Sequence, residues 1–172
     1  HDALPISGKS TLMNILTGLL QPTSGEIIIN GQPVTVDSPS KSDALGIGMV
    51  HQHFMLIDAF TVTENIILGS EVTKGLSLDT KSAAKKIKAL SEKYGLQVDP
   101  YAKIADISVG QQQRVEILKT LYRGADILIF DEPTAVLTPQ EIDELITILH
   151  NLAKEGKSIV LITHKLEKIR AA

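Results

Sequence analysis

Short apolar runs alternate along the chain with longer segments in which apolar residues recur at helical spacing. The short runs are typical of buried strands, and the periodic segments are typical of amphipathic helices. Their alternation favours an α/β fold built on a mainly parallel sheet. The predicted strands are 47–51, 126–131 and 158–163, and the predicted helices are 9–18, 61–69, 79–94, 110–122 and 139–154.

Turn and capping residues separate these elements. Asn30-Gly31 lies between two short segments and predicts an antiparallel hairpin over 26–36. Asp79 is expected to cap the helix over 79–94, and Gly95 to end it. The lysines of that helix are expected to form a solvated face; they are residues 81, 85, 86, 88 and 93.

One apolar run ends in two adjacent carboxylates, Asp131 and Glu132. A run of apolar residues without alternation indicates a strand buried on both faces. Ligands of open α/β sheets bind at the carboxyl ends of such strands. Two acids at that edge indicate that one binds a metal and the other accepts a proton from water. A charge pair at a helix N-terminus, opened by Pro133, is the simpler alternative.

The segment Gly8-Lys9-Ser10-Thr11 has the second half of the phosphate-loop pattern G-x-x-x-x-G-K-[ST]. An apolar helical pattern follows, so a helix N-terminus would add free N–H groups and a positive dipole end. Lys9 would reach the β- and γ-phosphates, and the Ser10 hydroxyl would hold Mg²⁺. The alternative is an ordinary surface lysine at a helix start, which the flanking residues disfavour.

The residues before this segment do not fit the pattern. Ala3 stands where the pattern has Gly, Pro5 removes an N–H group, and the β-branched Ile6 resists a positive φ. The strand that should feed the loop is also absent. Residues 1–7 are therefore expected to be a non-native junction, similar to translated sequencing adapter, that binds phosphate poorly. A divergent but genuine loop is the alternative.

Composition narrows the class of protein. The chain has 172 residues, which predicts one domain, and its 43% hydrophobic content supports a core filled by aliphatic side chains because aromatics are only 3%. Cysteine is absent, which suits a reducing cytoplasm. The net charge of −3 gives no basic footprint, so no nucleic-acid partner is expected. No apolar run approaches the roughly 20 residues of a membrane span, and no signal peptide is visible.

A second possible anion site lies at Ser108, which precedes a helix beginning Val109-Gly110-Gln111. A helix N-terminus attracts anions through its N–H groups and dipole. A plain polar helix start is the alternative. The sequence thus predicts two helix N-termini that could bind phosphate, at Lys9 and at Gly110. A single nucleotide bound to one monomer would not be expected to use both.

Together these segments resemble the ATP-binding domain of an ABC transporter, from Gly8 to the end of the chain. The signature motif has Val109 where the commonest form has Gly. The matching motifs are Walker A at 8–11, the Q-loop at Gln52, the signature at 108–111, Walker B at 127–132, the D-loop at 135–138 and the switch histidine at His164. The residues around the Q-loop and Walker B motifs most resemble the first ATPase half of the tandem ATPases that serve sugar and nucleoside importers. Of these solutes, the resemblance favours a nucleoside.

This resemblance implies a P-loop NTPase core with a helical subdomain over about 61–122 and a partial antiparallel β subdomain over 26–36. It also implies that 8–172 is an ABC ATPase domain truncated at both ends. The implied cofactors are ATP and Mg²⁺. The implied partners are transmembrane permease subunits and a second ATPase domain in a head-to-tail pair, with the protein peripheral at the cytoplasmic face of the membrane.

The resemblance also assigns roles to single residues. Asp131 and Ser10 would hold Mg²⁺, and Glu132 would be the general base. Gln52 would contact Mg²⁺ or water and sense the permease, and His164 would contact the γ-phosphate. The nucleotide would be bound between one domain and the signature of its partner; the binding residues are Gly8, Lys9, Ser10 and Thr11 with Ser108, Gly110 and Gln111.

Three functions remain open from the sequence. The first is an importer ATPase that meets its permease near Gln52, through a surface that includes Phe54 and Phe60. The second is an ABC-type ATPase with a task other than transport, although the chain lacks the basic surfaces or long helical insertions expected of one. The third is a fragment impaired in nucleotide binding because its Walker A loop is broken.

Overall fold

A computed structural model describes residues 6–68 and 79–163, apart from the side chains of residues 6 and 7. A short 3-10 turn, Ile104–Asp106, precedes the helix that begins at Val109. The helices are α1 Ile6–Leu16, α2 Pro39–Ala44, α3 Val62–Ile67, α4 Thr80–Tyr94, α5 Val109–Tyr122 and α6 Pro139–Lys154. The strands are β1 Ile27–Ile29, β2 Gln32–Val34, β3 Ile47–Val50, β4 Ile127–Asp131 and β5 Ser158–Ile162.

Strand β4 is the centre of a three-stranded parallel sheet with the order β3-β4-β5. Its side chains alternate between two apolar layers because successive residues of a strand point to opposite faces. Leu128 and Phe130 are buried in the larger core, which includes residues of α3, α4, α5 and α6. Ile129 packs on the other face with Met13 of α1 and Ile47 of β3. The predicted α/β class, and a strand buried on both faces, are confirmed.

The larger core joins the helices between 62 and 122 to the sheet. Ile66 of α3, Ile87 of α4 and Ile117 of α5 are fully buried in it together with Phe130. Helix α5 therefore packs against the other helices and the sheet at once. The predicted helical subdomain over about 61–122 comprises α3, α4 and α5, and its separateness as a subdomain stays a prediction.

The hairpin and the capping residues follow the sequence signals. Strands β1 and β2 pair antiparallel, with Ile29 opposite Gln32, and the turn residues Asn30 and Gly31 have φ of 52° and 76°. Two positive φ values in succession are the requirement of the tight hairpin turn that Asn-Gly favours. At α4 the Asp79 side chain accepts from the Ser82 N–H, and Gly95 ends the helix. The five lysines of the predicted solvated face are exposed.

Two elements differ from the predicted pattern. Helix α1 begins at Ile6, three residues before Lys9, because residues 6–8 adopt helical backbone instead of a glycine-rich loop. Helix α2 was not predicted; Ser38 caps it by accepting from the Lys41 N–H, and Pro39 opens it. Such short helices carry too little periodicity to be read from apolar spacing.

Gly18 allows the chain after α1 to lie against the start of α2. We expect Gly18→Ala to destabilise the protein more than the control Gly124→Ala. Both glycines have positive φ, +77° and +86°, which costs an alanine about 1 kcal/mol. Only at Gly18 would the added Cβ lie 2.3 Å from the Ser38 carbonyl, whereas nothing lies within 4 Å at Gly124.

This steric overlap should add about 1–3 kcal/mol of destabilisation to the Gly18 variant. Denaturant unfolding of both variants measures the difference in the free energy of unfolding. Equal destabilisation of the two would contradict the close approach of α1 to α2.

Candidate active site

Parallel pairing brings the acidic pair to the carboxyl edge of the sheet. Asp131 is the last residue of β4 and pairs with Ile162 of β5. The Glu132 N–H donates to the Ile162 carbonyl at 2.7 Å, so the ladder extends one bond beyond the strand. Both acids are half-buried. Their position is therefore determined by the sheet and not by a free loop.

Glu132 has a left-handed backbone, with φ of 46°. A non-glycine residue in this region is uncommon and strained by about 1 kcal/mol, and such strain is concentrated at functional sites. The Ala135 N–H donates to the Glu132 carbonyl at 3.2 Å, which closes a tight turn directly after the strand. The turn directs the chain away from the sheet immediately after the carboxylate. Nothing in the sequence indicates this conformation.

Lys9 of α1 lies beside the acidic pair. Its Nζ is 4.0 Å from Glu132 Oε1, and the two side chains are 37% and 14% exposed. A cavity of about 390 Å³ next to them is lined in part by Lys9, Ser10 and Asp131. The structure thus brings together the lysine, a hydroxyl and two carboxylates that the sequence places more than a hundred positions apart.

The donor set of this cavity suits Mg²⁺ bound together with phosphate. Ser10 and Asp131 offer hard oxygen ligands, and Mg²⁺ is usually bound through one or two carboxylates plus substrate phosphates. Over 6–68 and 79–163 no three His, Cys, Asp or Glu side chains are grouped closely enough to hold a metal alone. The described residues therefore fit a cation that is also bound by phosphate oxygens, and they do not form a stand-alone metal centre.

The rest of the predicted Walker A segment lies on the same helix. Gly8 and Thr11 are exposed residues of α1, at the end where the phosphate loop was expected. A helix that begins at Ile6 does not have its N-terminus at Lys9, so that part of the prediction is wrong. Residues 1–5, including Ala3 and Pro5, lie outside the described residues.

The signature segment forms the start of α5. The Ser108 hydroxyl accepts from the Gln111 N–H at 3.2 Å, and Gln111 Oε1 accepts from the Ser108 N–H at 3.3 Å. The Gly110 N–H donates to Glu141 Oε1 at 3.2 Å. Side chains of the same chain thus bind these three N–H groups, and an anion site at Ser108 stays a prediction.

Glu141 was not identified from the sequence as a site residue. It completes a capping box on α6 by accepting from the Thr138 N–H at 2.9 Å, and it also accepts from Gly110 of α5. The hydrogen bond from the Thr138 N–H is the main reason that the pKa of Glu141 is lowered, with a smaller contribution from the Gly110 N–H. The spacing Thr138-x-x-Glu141 predicts the cap, but no local pattern predicts the second bond.

The remaining predicted residues have different outcomes. Gln52 is half-buried just beyond β3, and the cavity beside Lys9 is lined by its neighbour His51. Ser108, Gly110 and Gln111 are not among the described residues that line that cavity. His164 lies outside the described residues, directly after Thr163.

Most of the chain matches the sequence pattern of a known protein family. The sequence pattern of the family described as ABC transporter matches residues 7–135. No helix of the ranges 6–68 and 79–163 has the length and apolar character needed to cross a membrane.

Curated relatives cover almost the whole chain. The chain is 74% identical over 165 residues to the nucleoside import ATP-binding protein NupA of Lactococcus lactis subsp. cremoris (strain MG1363), covering 96% of this chain and 33% of that protein. It is 66% identical to the guanosine import ATP-binding protein NupO of Bacillus subtilis (strain 168), covering 90% and 30%. The chain therefore spans about a third of the length of these relatives.

Solved structures share the fold. The cbiO1 protein from Clostridium perfringens, part of the ABC transporter complex cbiONQ, is 29% identical with a TM-score of 0.78, covering 95% of this chain and 65% of that chain. An ATP-binding cassette of an ABC transporter in its ADP conformation is 26% identical with the same TM-score, covering 94% and 68%. The match over most of its length and these relatives together show that the chain belongs to the ABC transporter family.

Proposed function

We propose that this chain is the ATP-binding and ATP-hydrolysing part of an importer for nucleosides or simple sugars. The observation that carries the proposal is the meeting of Lys9 with Asp131 and Glu132 at one edge of the sheet. A lysine beside two carboxylates suits a triphosphate that is bound, charge-neutralised and attacked by water. Relatives named for nucleoside and guanosine import support the choice of solute.

The residues divide the chemistry between them. Lys9 binds the β- and γ-phosphates of ATP, while Gly8 and Thr11 flank it on α1. Ser10 and Asp131, with Gln52, would hold Mg²⁺, which supplies positive charge to the phosphate oxygens when bound. Glu132 accepts a proton from the water that attacks the γ-phosphorus, and the bond to the leaving oxygen of ADP breaks.

We also propose that two such domains pair head to tail around each nucleotide. Among the described residues the lining of the Lys9 cavity does not include Ser108, Gly110 or Gln111, which supports a role for these residues on a partner's nucleotide. His164, predicted as the γ-phosphate contact, completes the proposal from the sequence alone. The resemblance supports a position at the cytoplasmic face of the membrane, where permease subunits would use the opening and closing of the pair.

An exposed apolar surface after Gln52 supports the contact with the permease. Met55, Ile57 and Phe60 are 71%, 40% and 36% exposed, although all three are large and apolar. Phe54 is half-buried beside them. A group of exposed apolar side chains in one segment is typical of a protein-binding surface.

One observation favours a second candidate for the chain as it stands, namely impaired nucleotide binding. Residues 6–8 are helical, so their N–H groups point along the helix axis and cannot surround a phosphate as a glycine-rich loop does. We expect the chain to bind ATP with a Kd weaker than about 1 mM. Titration calorimetry measures this value, and submillimolar affinity would contradict the broken loop.

Restoring the loop should recover binding. A variant with Ala3→Gly, Pro5→Ser and Ile6→Gly should bind ATP at least about tenfold more tightly, a gain of about 1.4 kcal/mol. The same variant with Lys9→Ala is the control and should lose the gain. Equal affinity with and without Lys9 would remove the lysine from the phosphate site.

Glu132 is tested in the same restored background. Glu132→Gln should keep ATP affinity but lower the rate of hydrolysis by about 10² or more, because the amide cannot accept the proton from water. Asp143→Asn, an exposed acid on α6, controls for loss of charge. Phosphate release measures turnover, and a rate near that of the control would exclude Glu132 as the base.

The permease surface is tested by polar substitution. Phe60→Ser combined with Met55→Ser should weaken binding to the permease about tenfold or more, since each buried apolar side chain contributes about 1.5–3 kcal/mol. Basal hydrolysis without permease should not change. Ile28→Ser, at a 56% exposed position of β1, is the matched control, and equal loss of binding in both would place the surface elsewhere.

A further inference from the structure

Helix α5 carries two buried polar side chains, Gln113 and Glu116, on one face and one turn apart. They are 3% and 4% exposed, although one is an amide and the other a carboxyl group. Burial of such groups costs several kcal/mol unless they are hydrogen-bonded. Gln113 bonds to the backbone after Glu132, and Glu116 bonds to the backbone after Gln52. Neither side chain has a role in the proposed function.

Gln113 binds the chain directly after the acidic pair. Its Nε2 donates to the Pro133 carbonyl at 2.8 Å, and the bond is buried. Pro133 follows Glu132, whose left-handed backbone turns the chain at this point. A proline has no N–H group to anchor such a turn from within. The amide of Gln113 therefore fixes the backbone next to the residue whose carboxylate faces Lys9.

Glu116 binds the chain after Gln52. Its Oε1 accepts from the Met55 N–H at 3.2 Å, across 61 positions of sequence. The carboxylate makes this a charge-assisted bond, which is stronger than a neutral one. Further along the same segment, buried Asn65 binds both the N–H and the carbonyl of Ile57. The backbone is thus held from inside while the side chains of Met55 and Ile57 face solvent.

We propose that Gln113 and Glu116 are positioning residues that make α5 a rigid connection between the Glu132 turn and the Gln52 segment. A rigid helix bonded to both cannot follow a movement of one segment without displacing the other. The same helix begins at Ser108 and Gly110, so its N-terminus moves with them. The inference rests on the proposed function, because it is that function that makes Glu132, Gln52 and the α5 N-terminus act in one cycle.

The choice of side chain supports this role over simple filling of the core. A leucine at position 116 would suit a buried position but would leave the Met55 N–H without this acceptor. A hydrogen bond is directional, and it fixes the backbone at one register where an apolar contact would tolerate sliding. Two such bonds from one helical turn fix two segments relative to each other.

The contact itself is tested by amide hydrogen exchange at Met55. Glu116→Ala removes the acceptor and should speed exchange at Met55 about tenfold or more. Glu116→Gln keeps an oxygen acceptor and should leave exchange within about threefold of the wild type. Thr120→Ala is the control, since the buried Thr120 hydroxyl bonds within α5, to the Ile117 carbonyl at 2.7 Å. Equal exchange in the Ala and Gln variants would overturn the contact.

The positioning role is tested by steady-state kinetics in the loop-restored background of the Glu132 test, assembled with the permease; this background without further substitution is the wild-type reference. Glu116→Ala should lower kcat about tenfold or more, because small displacements of reacting groups cost up to about 10² in rate. KM for ATP should stay within about threefold, since Glu116 does not line the Lys9 cavity. Glu116→Gln should restore most of kcat.

Gln113 is tested by the reverse substitution, from an amide to a carboxylate. Gln113→Glu keeps the shape of the side chain but removes the N–H donor, so at pH 8 it should lower kcat as Glu116→Ala does. The inference would be overturned if Glu116→Ala and Gln113→Glu lowered kcat no more than Thr120→Ala does while all three variants lost the same thermal stability. Gln113 and Glu116 would then have a structural role only.

The wild-type measurement separates this inference from the proposed function. Normal wild-type hydrolysis together with unaffected Gln113 and Glu116 variants would overturn the inference alone. A wild-type assembly that hydrolyses no ATP would overturn the proposed function and the coupling role with it.

Discussion

The pairing of β4 between β3 and β5 is the constraint on which the site depends. A strand with parallel neighbours on both sides cannot slip by one residue, because every side chain would move to the opposite face. Leu128 and Phe130 would then leave the larger core, and Ile129 would leave its contact with Met13. The register that buries these residues also fixes Asp131 as the last residue of the strand. Hydrophobic burial therefore determines where the acidic pair lies.

The same constraint explains why Glu132 is strained. The ladder holds its N–H against the Ile162 carbonyl, and its own carbonyl accepts from the Ala135 N–H. Gln113 binds the Pro133 carbonyl one peptide further along. A residue fixed at both neighbouring peptide groups has little choice of backbone, and the left-handed conformation is the one that joins them. The cost of about 1 kcal/mol is offset by two well-made hydrogen bonds. The carboxylate is thus oriented before any ligand arrives.

The sequence predicts the parts of this structure that local signals encode. The strand at 127–131, the Asn30-Gly31 turn and the Gly95 helix end each follow from a few neighbouring residues. The start of α1 was predicted wrongly, because the helix was expected only from Lys9 onward and residues 6–8 are helical as well. Short α2 lacks the periodicity that reveals a longer helix.

The contacts that organise the site could not be predicted in this way. The bonds from Gln113 to Pro133, from Gly110 to Glu141 and from Met55 to Glu116 join residues 20, 31 and 61 positions apart. A polar residue within an apolar helix indicates burial with some partner, but the packing of α5 against the sheet selects which partner. Lys9 meets Glu132 for the same reason, since the apolar layer that contains Met13 and Ile129 packs α1 against the sheet near that strand end.

The two segments that the sequence predicts as anion-binding helix N-termini, at Lys9 and at Gly110, have different charged neighbours in the fold. At α5 the carboxylate of Glu141 accepts from Gly110, and its lowered pKa follows first from the bond to Thr138 and then from this one. A carboxylate held ionised at a helix N-terminus neutralises part of the dipole charge that would attract a phosphate. On α1 the charged group is Lys9, whose Nζ lies 4.0 Å from Glu132 Oε1. Under the proposed function, a triphosphate would therefore be drawn to Lys9 rather than to the start of α5, whose N–H groups already have partners.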